Sequence, residues 1–147
     1  MSGFRSVGDI LDFAIAQEGE AHDFYSNLAE QVSNPELREM IKSFAIDELQ
    51  HGIRLQAVKA SRAAFIEGEI ASLHVAETTA AVEPHPQMSY ADLLLIAMKK
   101  EKAACRLYTN LALIAKDKDC RDTLLGLAKE EAQHKLRLEL EYDWISY

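Results

Sequence analysis

Glu48 and His51 stand three residues apart, and the same ExxH spacing recurs at Glu131 and His134. On a helix, three residues cover about 60° of azimuth, so a carboxylate and an imidazole at that spacing can reach one point. Two further acids, Glu18 and Glu101, each lie seven residues before a tyrosine, Tyr25 and Tyr108. Seven residues return a helix to within about 20° of its starting direction, so each Glu shares a face with its Tyr. Both faces also carry the apolar residues that should be buried. Four carboxylates taken out of water without partners would cost several kcal/mol each, so they need cations. Two divalent metal ions would balance them with both His neutral. Arg54 and Arg137, just beyond the two His, offer the alternative of a structural ion-pair network.

An isolated ExxH arises readily by chance. Here the two copies belong to a longer repeat. Offset by 83 residues, positions 6–55 align with 89–138, and 17 of the 50 pairs are identical, Glu18/Glu101, Tyr25/Tyr108, Glu48/Glu131, Gln50/Gln133 and His51/His134 among them. Shared helical composition accounts for the Leu and Ala matches but not for these five. The chain therefore reads as a duplicated unit, with halves at about 6–60 and 89–143.

Each half must supply two helices to position its groups. Leu11, Ala14, Ile15, Glu18, Ala21, Tyr25, Leu28 and Ala29 recur at three- and four-residue steps, as do Leu37, Met40, Ile41, Phe44, Ala45, Glu48, His51 and Leu55. That is the period of an amphipathic helix with one buried face. Ser6 with Asp9, and Ser89 with Asp92, place a hydroxyl and a carboxylate where a first turn needs acceptors, so helices should start there. Ser33-Asn34-Pro35 and residues 116–119 are the expected turns. Glu18 and Glu48 are centred on residue 33, and Glu101 and Glu131 on residue 116. Antiparallel pairing about those turns brings each lone Glu level with its ExxH, roughly 22 Å from the turn. Four helices of about 25 residues result. The stretch 61–88, with Gly68, Pro84 and Pro86, is the expected linker, with a short helix over 65–74. It is long enough to run back along the molecule and leave the second and third helices parallel.

Composition is consistent with one domain. The 147 residues are 48% hydrophobic and 27% charged, and carry a net charge of -8. A chain of this length buries roughly 70% of its unfolded surface and needs no disulfide. The acidic balance, with no basic run, argues against nucleic acid and against an anionic membrane surface. The longest apolar run, 93–98, is too short to span a bilayer, and the N-terminus is not patterned as a secretory signal, so a cytoplasmic location is expected. Cys105 and Cys120 form no CxxC pair and are expected to be free thiols; four-cysteine iron or zinc sites are excluded. Cys105 itself reads as a small buried hydrophobe, while Phe65 and Trp144 are expected to be exposed and suggest a homodimer. Mixed carboxylate and imidazole donors suit iron or manganese better than calcium or a four-coordinate structural zinc.

The order lone Glu, ExxH, lone Glu, ExxH on four helices resembles the ferritin-like di-iron carboxylate proteins. Glu18-Gly-Glu-Ala-His-Asp-Phe-Tyr25 followed by Leu28-Ala29-Glu30, with Asp47-Glu48-Leu-Gln-His51, is similar to the rubrerythrin branch, in the short form that has no rubredoxin module. The likeness covers about two thirds of the chain. It implies an all-α ferritin-like four-helix bundle with a long crossover between helices 2 and 3. It implies two iron ions, with manganese or zinc as substitutes, bridged by Glu48 and Glu131. Glu18 and Glu101 would be terminal ligands, and His51 and His134 would complete one iron each. Tyr25 and Tyr108 would donate to the carboxylates, with simple core packing as the alternative. Asp47 and Glu130 would orient an imidazole N–H or simply face solvent. His22, four residues after Glu18, is a further candidate ligand but is expected at the surface or behind the ligands.

The resemblance also implies an oxidoreductase that reduces hydrogen peroxide or dioxygen with electrons from a separate donor such as a rubredoxin-like protein. The alternative is an iron-handling ferroxidase, storing or passing on iron; a third reading is a helical protein that uses metal only for folding. Many rubrerythrins carry an additional Glu three residues after the third-helix ligand, and here that position is Ala104. This departure bears directly on peroxide reduction. His74 and His85 fit no pattern.

Overall fold

The computed structural model describes residues 6–61, 65 and 87–145. Beyond Phe65, the expected linker helix, together with Gly68, His74, Pro84, His85 and Pro86, lies outside these residues. Among the described residues there are four α-helices: α1 Val7–Glu30, α2 Pro35–Ala60, α3 Tyr90–Ile114 and α4 Lys118–Ile145. None is long and apolar enough to cross a membrane.

The caps explain the boundaries. Ser6 accepts from the Asp9 amide at 3.1 Å, and Ser89 and Asp92 form a reciprocal capping box. At the turns, Asn34 accepts from the Leu37 amide at 3.1 Å, with Pro35 opening α2, and Asp117 accepts from the Cys120 amide at 2.8 Å. Asn34 and Asp117 are 83 residues apart, so the repeat extends to a cap whose residue type differs. It extends to the turn backbone as well: Arg38 Nε donates to the Val32 carbonyl at 2.8 Å and an Arg121 guanidinium nitrogen to Ala115 at 3.1 Å.

Two compact units follow the repeat, one holding α1 and α2, the other α3 and α4. Within the first, α1 and α2 run antiparallel, as cross-pairs such as Glu18–His51, His22–Ala45, Tyr25–Phe44 and Asp12–Lys59 require. Ile10, Leu11, Ala14, Tyr25 and Leu28 on α1 and Ile41, Phe44, Ala45 and Leu55 on α2 are buried. Ile15 and Ala21 flank the α1 stripe and are half-buried. The second unit buries Leu94, Ala97, Tyr108 and Leu111 on α3 and Leu124, Leu127 and Leu138 on α4.

Phe65 departs from expectation. It is buried, at 9% exposure, and makes an isolated antiparallel bridge with Ala115 at the α3–α4 turn. At Phe65 itself the chain makes a bridge and not a helical turn. An aromatic ring in a stretch without periodicity gives no sign of what it packs against, so its burial could not be read from its neighbours. Trp144 is 79% exposed, as expected.

Candidate metal centre

In the first unit the helical stripe carries its charged members into the interior. Glu18 is 2% exposed, Glu48 1% and His51 0%. Nδ1 of His51 lies 3.1 Å from Glu18 Oε2 and 3.3 Å from Glu48 Oε1. One donor atom from each of the three lies within 4.8 Å of the others. The lone Glu and the ExxH meet at one level, as their equal distance from the Asn34 turn demands. Tyr25, one face-turn further along α1, is 1% exposed, and its ring packs edge-on to Phe44 at 5.6 Å and to Phe24 at 5.4 Å.

The second unit repeats this arrangement. Glu101 is 2% exposed, Glu131 1% and His134 5%. Nδ1 of His134 lies 3.5 Å from Glu101 Oε2 and 3.6 Å from Glu131 Oε1, and one donor atom of each lies within 4.8 Å of the others. Tyr108 is again buried.

These separations fit a metal ion. Donors held at about 2.1 Å from one ion lie roughly 3 Å apart when adjacent and no more than about 4.2 Å when opposite. Hard carboxylate oxygens with borderline imidazole nitrogens are the donor types of first-row divalent metals rather than of calcium. The ion-pair alternative is weaker in the second unit, where Arg137 is exposed, while Arg54 is half-buried.

The neighbours of the ligands fall out unevenly. His22 is half-buried, with Nδ1 2.9 Å from the Ala45 carbonyl, and stands apart from the Glu18, Glu48 and His51 group. A carbonyl only accepts, so Nδ1 carries the proton and the ring is turned by α2 backbone. Asp47, Glu130 and Ala104 are half-buried. Cys105 is half-buried rather than buried, because position 105 falls at the edge of the α3 stripe; Cys120 is buried, and both are free thiols. Burial, reinforced by the Asp117 carboxylate and opposed by Arg121, pushes the Cys120 thiol up to about 11.

A family model described as Rubrerythrin matches residues 9–142. The chain belongs to the rubrerythrin family. The match spans both halves of the repeat, and the fold class is accordingly all-α and ferritin-like. A solved structure, a hypothetical protein from Pyrococcus furiosus, is similar in fold: TM-score 0.75, 24% identity, covering 94% of this chain and 89% of that one. No curated protein matches the chain. As a rubrerythrin family member, the chain carries all six positions named by the motifs in two buried Glu-Glu-His groups, one in each half.

Proposed function

We propose that this rubrerythrin family member is a di-iron oxidoreductase, holding two iron ions per chain and reducing hydrogen peroxide or dioxygen with electrons from a separate protein. The observation that carries the reading is the buried Glu-Glu-His group occurring twice at the 83-residue offset, with matched distances. Glu18, Glu48 and His51 serve as ligands from the first half, and Glu101, Glu131 and His134 from the second. Iron held there would supply the electrons that reduce an O–O bond. The remaining work belongs to the chain. Four carboxylates neutralise two divalent ions, the apolar stripes exclude water, and the Tyr25 and Tyr108 hydroxyls hold ligand carboxylates in place. Reduction of one peroxide to two waters consumes two electrons and two protons. Two cysteines cannot form a rubredoxin-type four-thiolate site, and a rubredoxin-like protein is the donor we propose. We place the protein in the cytoplasm. Of the two residues expected to support a homodimer, only Trp144 is exposed.

One observation favours a second reading, an iron-handling ferroxidase. Ala104 stands where many relatives have an additional carboxylate, which leaves peroxide chemistry one acidic group short.

Anaerobic titration with Fe(II) should reach two ions per chain, and Glu48→Ala or Glu131→Ala should abolish loading. Retention of two ions by both variants would overturn the ligand assignment. Stopped-flow mixing of the Fe(II)-loaded protein then separates the readings. Faster oxidation by peroxide than by dioxygen supports the oxidoreductase, and oxidation by dioxygen alone supports iron handling.

A further inference from the structure

Between α1 and α2, nearer the Asn34 turn than the metal ligands are, the first half has an open groove of about 620 Å³. That is within the roughly 300–1,000 Å³ typical of small-molecule sites. His22, Ser26 and Glu30 line it from α1, and Arg38, Lys42 and Ile46 from α2, over a floor of Ala29 and Ala45. Arg38 spends only its Nε, on the Val32 carbonyl, so its two terminal nitrogens remain available. His22 spends only Nδ1, on Ala45, leaving Nε2. Lys42 is 3.5 Å from Glu39, an exposed pairing of little strength. With Glu30 opposing Arg38 and Lys42, the lining is net positive in a chain whose total charge is -8.

The repeat supplies an internal control. At the matching positions of the second half, Arg121 keeps the carbonyl tie of Arg38, so that contact belongs to the hairpin itself. His22, Glu30 and Lys42 are replaced by Cys105, Leu113 and Leu125. The hairpin therefore folds without an imidazole, a carboxylate or an ammonium at these places. The second half keeps the arginine and carries Lys129 where the first has Ile46, so what is particular to the first half is the imidazole, the carboxylate and an ammonium placed at position 42 beside an apolar residue at 46.

We propose that this groove is a binding site for a small organic oxyanion, a carboxylate or phosphate ester on a short apolar body. The anionic head is bound by the Arg38 terminal nitrogens and the Lys42 ammonium, and the body lies on Ala29, Ala45 and Ile46. Guanidinium and ammonium donors to an oxyanion are charge-assisted and give the head its orientation.

Isothermal titration calorimetry of the full chain with butyrate, n-butyl phosphate and inorganic phosphate tests this. Saturable one-to-one binding of an organic anion is expected, and the stronger of the two identifies the head group. Lys42→Leu should weaken it about tenfold, the loss of one charge-assisted contact. The combined His22→Cys, Glu30→Leu and Lys42→Leu variant, each of whose new residues stands at the matching position of the second half, should abolish it. No saturable binding to the unaltered protein overturns the proposal. So does equal affinity in the combined variant, or binding of inorganic phosphate alone.

Discussion

The two halves of the molecule are alike where they hold the acids and imidazoles and unlike nearly everywhere else on their surfaces. His51 sits 3.1 Å and 3.3 Å from its two carboxylates, and His134 sits 3.5 Å and 3.6 Å from its own. At the far end of each hairpin the contents differ. Val7 and Val58 are buried in the first half where the second has Tyr90 and Glu141. Burial raises the Tyr90 hydroxyl above its ordinary pKa, with the Glu141 carboxylate adding to the effect, and burial also raises Glu141. One hairpin thus closes its end with two valines and the other with a phenol and a carboxylate. Beyond the donor groups, the buried tyrosines and the serine caps, the halves also share the turn: a side-chain acceptor on a first-turn amide and an arginine on a turn carbonyl. Positions that match in both halves are those the hairpin needs, and those that differ are free to specialise.

Ligand loss tests the shared part most severely. Glu18→Ala and Glu101→Ala should each lower Fe(II) loading from two ions per chain to about one, measured anaerobically; an effect from one variant only would show that the halves are not equivalent donors. Core truncation comes next. Leu55 and Leu138 are matched and both are 0% exposed, so Leu→Ala at either should cost about 2–5 kcal/mol in urea unfolding of the metal-free protein. A cost below about 1 kcal/mol at one site would break the equivalence.

Asn34→Ala and Asp117→Ala should each cost about 1 kcal/mol by the same measurement, since each removes the acceptor of an otherwise unpaired first-turn amide. The pH dependence should distinguish the halves, because Leu37 occupies the place of Cys120. A thiol raised from 9 to about 11 keeps its proton longer in the folded state. The stability it contributes is fully present below pH 9 and is lost as the pH rises towards 11. Urea midpoints at pH 8 and 10.5 should converge when Cys120→Ser removes the buried thiol. Smallest of all, Gly19→Ala should raise stability by roughly 0.5–1 kcal/mol, because beyond its own stretch of helix the added methyl meets nothing within 4 Å and a mid-helix glycine is entropically costly. A loss of melting temperature would contradict that.

Much of this was legible in the residues. The stripe through Leu11, Ala14, Glu18, Tyr25 and Leu28 names both the buried face of α1 and the acid it carries inward, because periodicity records azimuth directly. Ser6, Asn34 and Ser89 mark helix starts because a first turn lacks acceptors, whatever lies beyond it. Cys105 and Phe65 depart from expectation for a common reason: one sits at the margin of a stripe and the other outside any stripe, where periodicity carries no information on burial.

The duplication, the four helices, and the level at which Glu18 meets Glu48 and His51 and Glu101 meets Glu131 and His134 are all readable along the chain. Each of these follows from chain spacing, since rise and rotation per residue are constants of the helix. Only the tertiary structure decided that His51 Nδ1 faces both of its carboxylates, that His22 is spent on the Ala45 carbonyl, that Arg38 and Arg121 tie their turns, and that a groove opens between α1 and α2. Those contacts depend on side-chain rotamers and on how one helix is rotated against another, which spacing along the chain does not encode.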